Sequence, residues 1–172
     1  MRKILLTCFA VLLLLSVSAT AQETQGSSSD FGYRGWGPRV GLTINPDQVH
    51  FGAHIDFGAI APQLRFQPNI EAGFGDHITL IAFNLDLNYR FASRWDVWTP
   101  YLGGGLGMHY VDHDKVKVGN IEVDPGSSTD FGINLIGGIE KGLSNGNRFF
   151  IEGKLGLVDA PDFKVTVGWT FF

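Results

Sequence analysis

One pattern constrains this chain above all others: side chains alternate between apolar and polar over long stretches, many times in succession. In residues 78–91, ITLIAFNLDLNYRF, one register reads Thr79, Ile81, Phe83, Leu85, Leu87, Tyr89, Phe91 and the other Leu80, Ala82, Asn84, Asp86, Asn88, Arg90. Consecutive side chains of a strand point to opposite faces, so this is a strand with one apolar and one polar side. Eight such segments follow one another, at about 36–45, 49–60, 63–74, 77–91, 98–111, 130–141, 147–157 and 162–172, and none has a helical period. Turn chemistry separates them, as in Asn45-Pro46-Asp47, Ala61-Pro62, Gly75-Asp76, Ser144-Asn145-Gly146 and Asp159-Ala160-Pro161-Asp162. Each is roughly nine residues or longer, the length a tilted strand needs to cross a bilayer. The pattern predicts an all-β fold, an eight-stranded antiparallel up-and-down transmembrane β-barrel.

The alternative is a soluble, lipocalin-like barrel with the apolar face inside. Three features favour lipid outside. The polar face of segment five reads Tyr101, Gly103, Gly105, Gly107, His109. Glycine weakens a solvated strand for no gain, but inside a narrow barrel it makes room for long side chains arriving from the opposite wall. The charges on the polar faces nearly balance, with Arg39, Arg65, Arg90, Arg148, Lys154 and Lys164 against Asp56, Glu71, Asp86, Glu140 and Glu152. Buried charges have to be arranged in this way. Arg39, Asp56, Arg65, Asp86 and Arg90 are expected to form one network that plugs the lumen near the periplasmic end. The third feature is the level of the aromatic residues. With both termini in the periplasm, Trp36, Tyr89, Phe91, Trp98, Tyr101, Trp169 and Phe171 fall near the periplasmic rim, and Trp95 lies in a turn there. Phe74, Tyr110, Phe131 and Phe163 fall near the other rim. Amphipathic rings belong at the membrane–water boundary. This orientation also puts the longest connection, 112–129, outside.

The N-terminus reads MRKILLTCFAVLLLLSVSATA: a basic start at Arg2 and Lys3, an apolar run, and small residues at Ala19-Thr20-Ala21. That is a secretory signal peptide over 1–21, cut after Ala21. Cleavage removes Cys8, the only cysteine, so the mature chain has no disulfide. It leaves 11 basic against 17 acidic residues, a net charge of −6, which argues against nucleic acid as a partner. Residues 22–35, QETQGSSSDFGYRG, read as a flexible lead-in to a barrel over 36–172.

The signal peptide, the glycine-rich strand TPYLGGGLGMHY (99–110) and the aromatic last strand FKVTVGWTFF (163–172) resemble the small outer-membrane β-barrel proteins of Gram-negative bacteria, the OmpA/OmpX-like group. The resemblance runs from about Trp36 to Phe172. It implies a location in the outer membrane, with membrane lipid and the barrel assembly machinery as partners. It departs from the family at the last residue, usually a lipid-facing Phe: here Phe171 holds that register and Phe172 lies one beyond. No periplasmic wall-binding segment follows the barrel in this sequence, so wall anchoring is not expected.

Catalytic and metal signals are weak. His109, Asp112, His113 and Asp114 form one isolated cluster at a strand-to-loop junction, more consistent with a solvated loop than a metal site. His54 and Asp56 share the polar face and read as a structural pair rather than an acid–base pair. Ser127, Ser128 and Ser144 lie in loops with no adjacent histidine motif. No catalytic residue, cofactor or metal is expected. The leading reading is a non-enzymatic barrel with a structural or surface-interaction role, a side-chain-filled lumen and an extracellular ligand engaged through loop 112–129. A narrow, porin-like channel is the alternative, and a lipid-modifying enzyme the third reading.

Overall fold

The structure, a computed structural model, describes residues 30–75, 78–113, 116–118, 121–123 and 126–172. The signal peptide and residues 22–29 of the lead-in lie outside the described residues, as does Asp114. Eight long strands close a barrel: β1 (Phe31–Ile44), β2 (Gln48–Ala61), β3 (Leu64–Gly75), β4 (Ile78–Arg90), β5 (Thr99–His113), β8 (Ser127–Gly142), β9 (Arg148–Val158) and β10 (Phe163–Thr170). A small hairpin, β6 (Val116–Val118) and β7 (Ile121–Val123), intervenes between β5 and β8. Each barrel strand pairs antiparallel with its sequence neighbours, and β1 pairs with β10 to complete the ring. The fold is an up-and-down β-barrel without a sheet edge, as the alternation predicts.

Two boundaries differ from the sequence reading. β1 begins at Phe31 rather than Trp36, so the last five residues of the expected lead-in are strand. The long end of β2 offers them backbone partners: Gly35 pairs with Asp56 and Phe31 with Gly58, and the Phe31 ring stacks on Phe57. The connection over 112–129 is largely ladder, because β5 and β8 continue past the expected strand ends and Asp112 pairs with Ser127.

The burial pattern is the inverse of a soluble core. Among the described residues, 21 polar or charged side chains are buried against five hydrophobic ones. The apolar register faces out: Leu42, Phe51, Ile70, Phe83, Leu106, Leu135 and Val165 are all exposed. An apolar exterior of this kind requires an apolar surrounding.

Glycines shape the interior, though not by receiving side chains from the opposite wall. Gly103, Gly105 and Gly107 each face a long residue directly across the β4–β5 ladder: Asn88, Asp86 and Asn84. A Cβ on Gly105 would stand 2.2 Å from the Asp86 carboxylate. The two largest lumen rings are housed in the same way. Tyr101 lies over Gly138 and Phe150 over Gly168, their direct ladder partners. The space is made for the neighbouring strand.

Candidate functional site: a charged lumen in two layers

The ion pairs sort into two layers. Midway along the barrel, Arg39 of β1 reaches Glu71 of β3 at 3.0 Å and Glu152 of β9 at 2.5 Å. Lys154 of β9 reaches Asp86 of β4 at 2.5 Å, and Lys164 of β10 pairs with Glu71. Three cations thus meet three carboxylates, and none of the six side chains is more than 5 % exposed. Neutral donors add to the pairs, although Asp86 Oδ1 and Glu71 Oε1 accept no hydrogen bond. Tyr101 donates to Glu152 at 3.0 Å, Asn69 donates to Asp86 at 2.6 Å, and Asn84 donates to Asn69 at 2.9 Å. A buried ion pair needs this support, since desolvation otherwise offsets the Coulombic gain.

The second layer lies at the mouth formed by the β2–β3, β4–β5 and β8–β9 turns. Arg65 binds Glu140 at 2.6 Å and stands 4.0 Å from Asp56. Arg148 binds Asp56 at 2.8 Å and lies 3.6 Å from Glu140. Arg90 binds the other Glu140 oxygen at 2.6 Å, with its own side chain 41 % exposed. Here three cations share two carboxylates.

The pairs run across the lumen. Around the ring, β3 and β8 are three strands apart, as are β9 and β4, β2 and β9, and β3 and β10. Arg65–Glu140, Lys154–Asp86, Arg148–Asp56 and Lys164–Glu71 are therefore chords of the barrel rather than contacts along its wall. An eight-stranded interior is just wide enough for side chains to fill, and these fill it. Towards the other end the lumen is neutral. His50 hydrogen-bonds Thr43 at 2.9 Å and Thr166 at 3.0 Å, and His109 hydrogen-bonds the Asp159 carbonyl at 3.1 Å.

All eleven charged residues that the sequence places on the inward face line the interior or its mouth, but Arg39, Asp56, Arg65, Asp86 and Arg90 do not form one network. Asp86 and Arg39 belong to the middle layer, and the main partner of Arg65 is Glu140. Glu71 is a full member that binds two cations. The lumen residues expected from the sequence left out Ile136 and Phe150, although parity with Asn134 and Glu140, and with Arg148 and Glu152, places both inside. On the outside, Trp36 packs edge-on against Phe171, and Trp98, Phe149 and Trp169 form a continuous run of rings. Tyr89 and Phe91 pack together, and Trp95 bridges to Trp98 in the β4–β5 turn. Tyr101 is a correction. It is only 2 % exposed and points into the lumen, because it shares a face with Gly103 and Gly105 rather than with Leu102.

The remaining candidates do not assemble. His109 is buried while Asp112 is exposed, as their odd spacing on a strand dictates. No metal-holding group of His, Cys, Asp or Glu occurs among the described residues. His54 bonds Thr170 at 2.9 Å, while Asp56 takes Arg148. Ser128 donates to Asp130, and Ser144 sits in the exposed β8–β9 turn.

No family model matches the chain, and no curated protein matches it by sequence. Solved structures do match. Against Neisserial surface protein A (NspA) the TM-score is 0.58 at 15 % identity, covering 84 % of this chain and 98 % of that one. Against the N-terminal β-barrel domain of Pseudomonas aeruginosa OprF it is 0.53 at 14 % identity, covering 81 % and 99 %. The outer membrane enzyme PagL aligns over 80 % of this chain and 99 % of its own at 13 % identity, with a TM-score of 0.47. At these identities the likeness is one of fold. In its closed eight-stranded meander, the chain has the fold of the small outer-membrane β-barrels.

Proposed function

We propose that this chain is an integral outer-membrane β-barrel with a filled lumen and a structural or surface-interaction role, not a channel and not an enzyme. The observation that carries the reading is the inversion of its burial. Charged chords cross the interior while the wall presents Leu, Ile, Val and Phe outward. A soluble barrel would have to solvate that wall. The barrel assembly machinery and membrane lipid are the partners this reading requires. The ligand this reading gives it is an extracellular one, engaged through the connection over 112–129.

The experiment is fractionation on a sucrose gradient with an unboiled gel of the detergent-extracted protein. Co-migration with outer-membrane markers and a heat-dependent mobility shift are expected, and recovery in the soluble periplasm would leave the lipocalin-like reading. Planar-bilayer recording should show no steady conductance, and an ion current would move the assignment to a narrow pore. A change in lipid mass on expression would move it to a lipid-modifying enzyme.

A further inference from the structure

The mouth layer opens into a cavity of about 450 Å³ between the β2–β3 and β4–β5 turns and the two chain ends of the barrel. Five arginines line it: Arg34, Arg65, Arg90, Arg94 and Arg148. Two aspartates line it as well, Asp30 and Asp56, and Glu140 lies behind them bound to Arg65 and Arg90. Five arginines outnumber the three carboxylate side chains, and still outnumber the acids when the Phe172 terminal carboxylate is counted, in a chain whose net charge is −4. The acids are already engaged: Asp30 with Arg34, Asp56 with Arg148, Glu140 with Arg65 and Arg90. Among the described residues, no carboxylate pairs with Arg94. The buried Nε of Arg65 has no hydrogen-bond acceptor.

We infer that this mouth is a binding site for a phosphate-type oxyanion. A guanidinium presents its donors as a planar fork that matches two oxygens of a phosphate, and several forks around one cavity suit a tetrahedral dianion. A phosphate monoester carries about −1.5 to −2 charge at neutral pH, of the sign that the arginine excess attracts. The field of the whole barrel works in the same direction. The described acids of the opposite end, Asp47, Asp112, Asp130, Asp159 and Asp162, repel an anion there, so it is steered to the arginine end. The middle layer below is neutral and closed, so the anion stops at the mouth. This inference does not depend on the membrane reading, because the cavity lies at an end of the barrel and not on its wall.

The phosphate could be free in solution or borne by a lipid headgroup, and the experiment separates the two. The full chain, folded in a neutral detergent at low salt, is titrated with inorganic phosphate by calorimetry, with the unboiled-gel shift confirming that every variant is folded. Wild type should bind with saturation. The double variant Arg34→Ala/Arg94→Ala lies outside the buried ion pairs and should weaken binding tenfold or more. Arg94→Lys, which keeps the charge and loses the fork, should fall between. The titration is then repeated in vesicles of phosphatidylcholine with and without phosphatidylglycerol. Loss of the phosphate response only with phosphatidylglycerol identifies a headgroup as the source, and an unchanged response identifies a soluble anion. Either result supports a built oxyanion site. No saturable binding to wild type, or equal affinity in wild type and the double variant, overturns it.

Discussion

The two charged layers of the lumen use the same side chains to different ends. In the middle, three cations and three carboxylates are held at no more than 5 % exposure, and Asn69 and Tyr101 add hydrogen bonds to Asp86 and Glu152. At the mouth, three arginines share two carboxylates, and Arg90 is 41 % exposed. The middle layer is balanced and dry, so its loss leaves a charge that nothing replaces. The mouth is redundant and exposed on its Arg90 side, so another arginine stands ready for each carboxylate. The comparison predicts that stability resides in the middle and adaptability at the mouth.

The largest effect should follow from removing a middle cation. Lys154→Ala leaves Asp86 with only the Asn69 amide, and breaking a buried pair costs about 3–5 kcal/mol. Urea unfolding in detergent measures it. The pair variant Lys154→Ala/Asp86→Ala should recover much of that loss, because the stranded charge goes too. A Lys154→Ala cost as small as that of a mouth variant would erase the distinction between the layers. The lipid face gives the next largest effect. Leu85 is the residue before Asp86 and faces outward, near the middle of β4. Leu85→Arg should cost about 2–4 kcal/mol, and Arg at the rim position Phe91 less. Equal costs would contradict the membrane level of the strand. The two neighbours together test the inversion itself, a charge required at 86 and excluded at 85.

The alternation in the sequence makes the barrel, its strand count and the inward or outward direction of nearly every side chain legible, because a period of two follows from backbone geometry alone. The partnerships were not legible. Depth along a strand can be counted, but which residues meet across the lumen depends on how the strands stagger around the ring, and nothing local encodes that stagger. Arg65 and Asp86 look like neighbours when β3 and β4 are drawn flat. In the closed barrel Arg65 faces Glu140 and Asp86 faces Lys154. Tyr101 was legible in principle, since its register with Gly103 and Gly105 places it inside. Its proximity to the rim suggested a girdle residue, and the register decides.

The mouth supplies the finest test. Arg65→Ala removes one of the three arginines around Glu140, and Arg90 and Arg148 remain at 2.6 and 3.6 Å. The expected cost is about 1.5–3 kcal/mol, the range for a hydrogen bond to a charged group, and below that of Lys154→Ala. Double-mutant cycles should resolve the two partners of Arg65. Coupling to Glu140 at 2.6 Å should exceed coupling to Asp56 at 4.0 Å, and the reverse order would mean that the strands stagger differently.

The smallest effect belongs to Arg90. It makes a contact to Glu140 as short as that of Arg65, so distance alone would rank the two equally. Exposure separates them. The Arg90 side chain is 41 % exposed and its Nε, though close to Glu140, makes no hydrogen bond to it, and a part-exposed ion pair contributes about 0–1 kcal/mol once screening and side-chain ordering are counted. Arg90→Ala should therefore fall within about 1 kcal/mol of wild type in urea unfolding. Its cost should also shrink with added salt, whereas the cost of Lys154→Ala should not, because a dry pair is screened far less. A salt-independent loss at Arg90 as large as that at Arg65 would show that the mouth is closed to water and that the two layers are one.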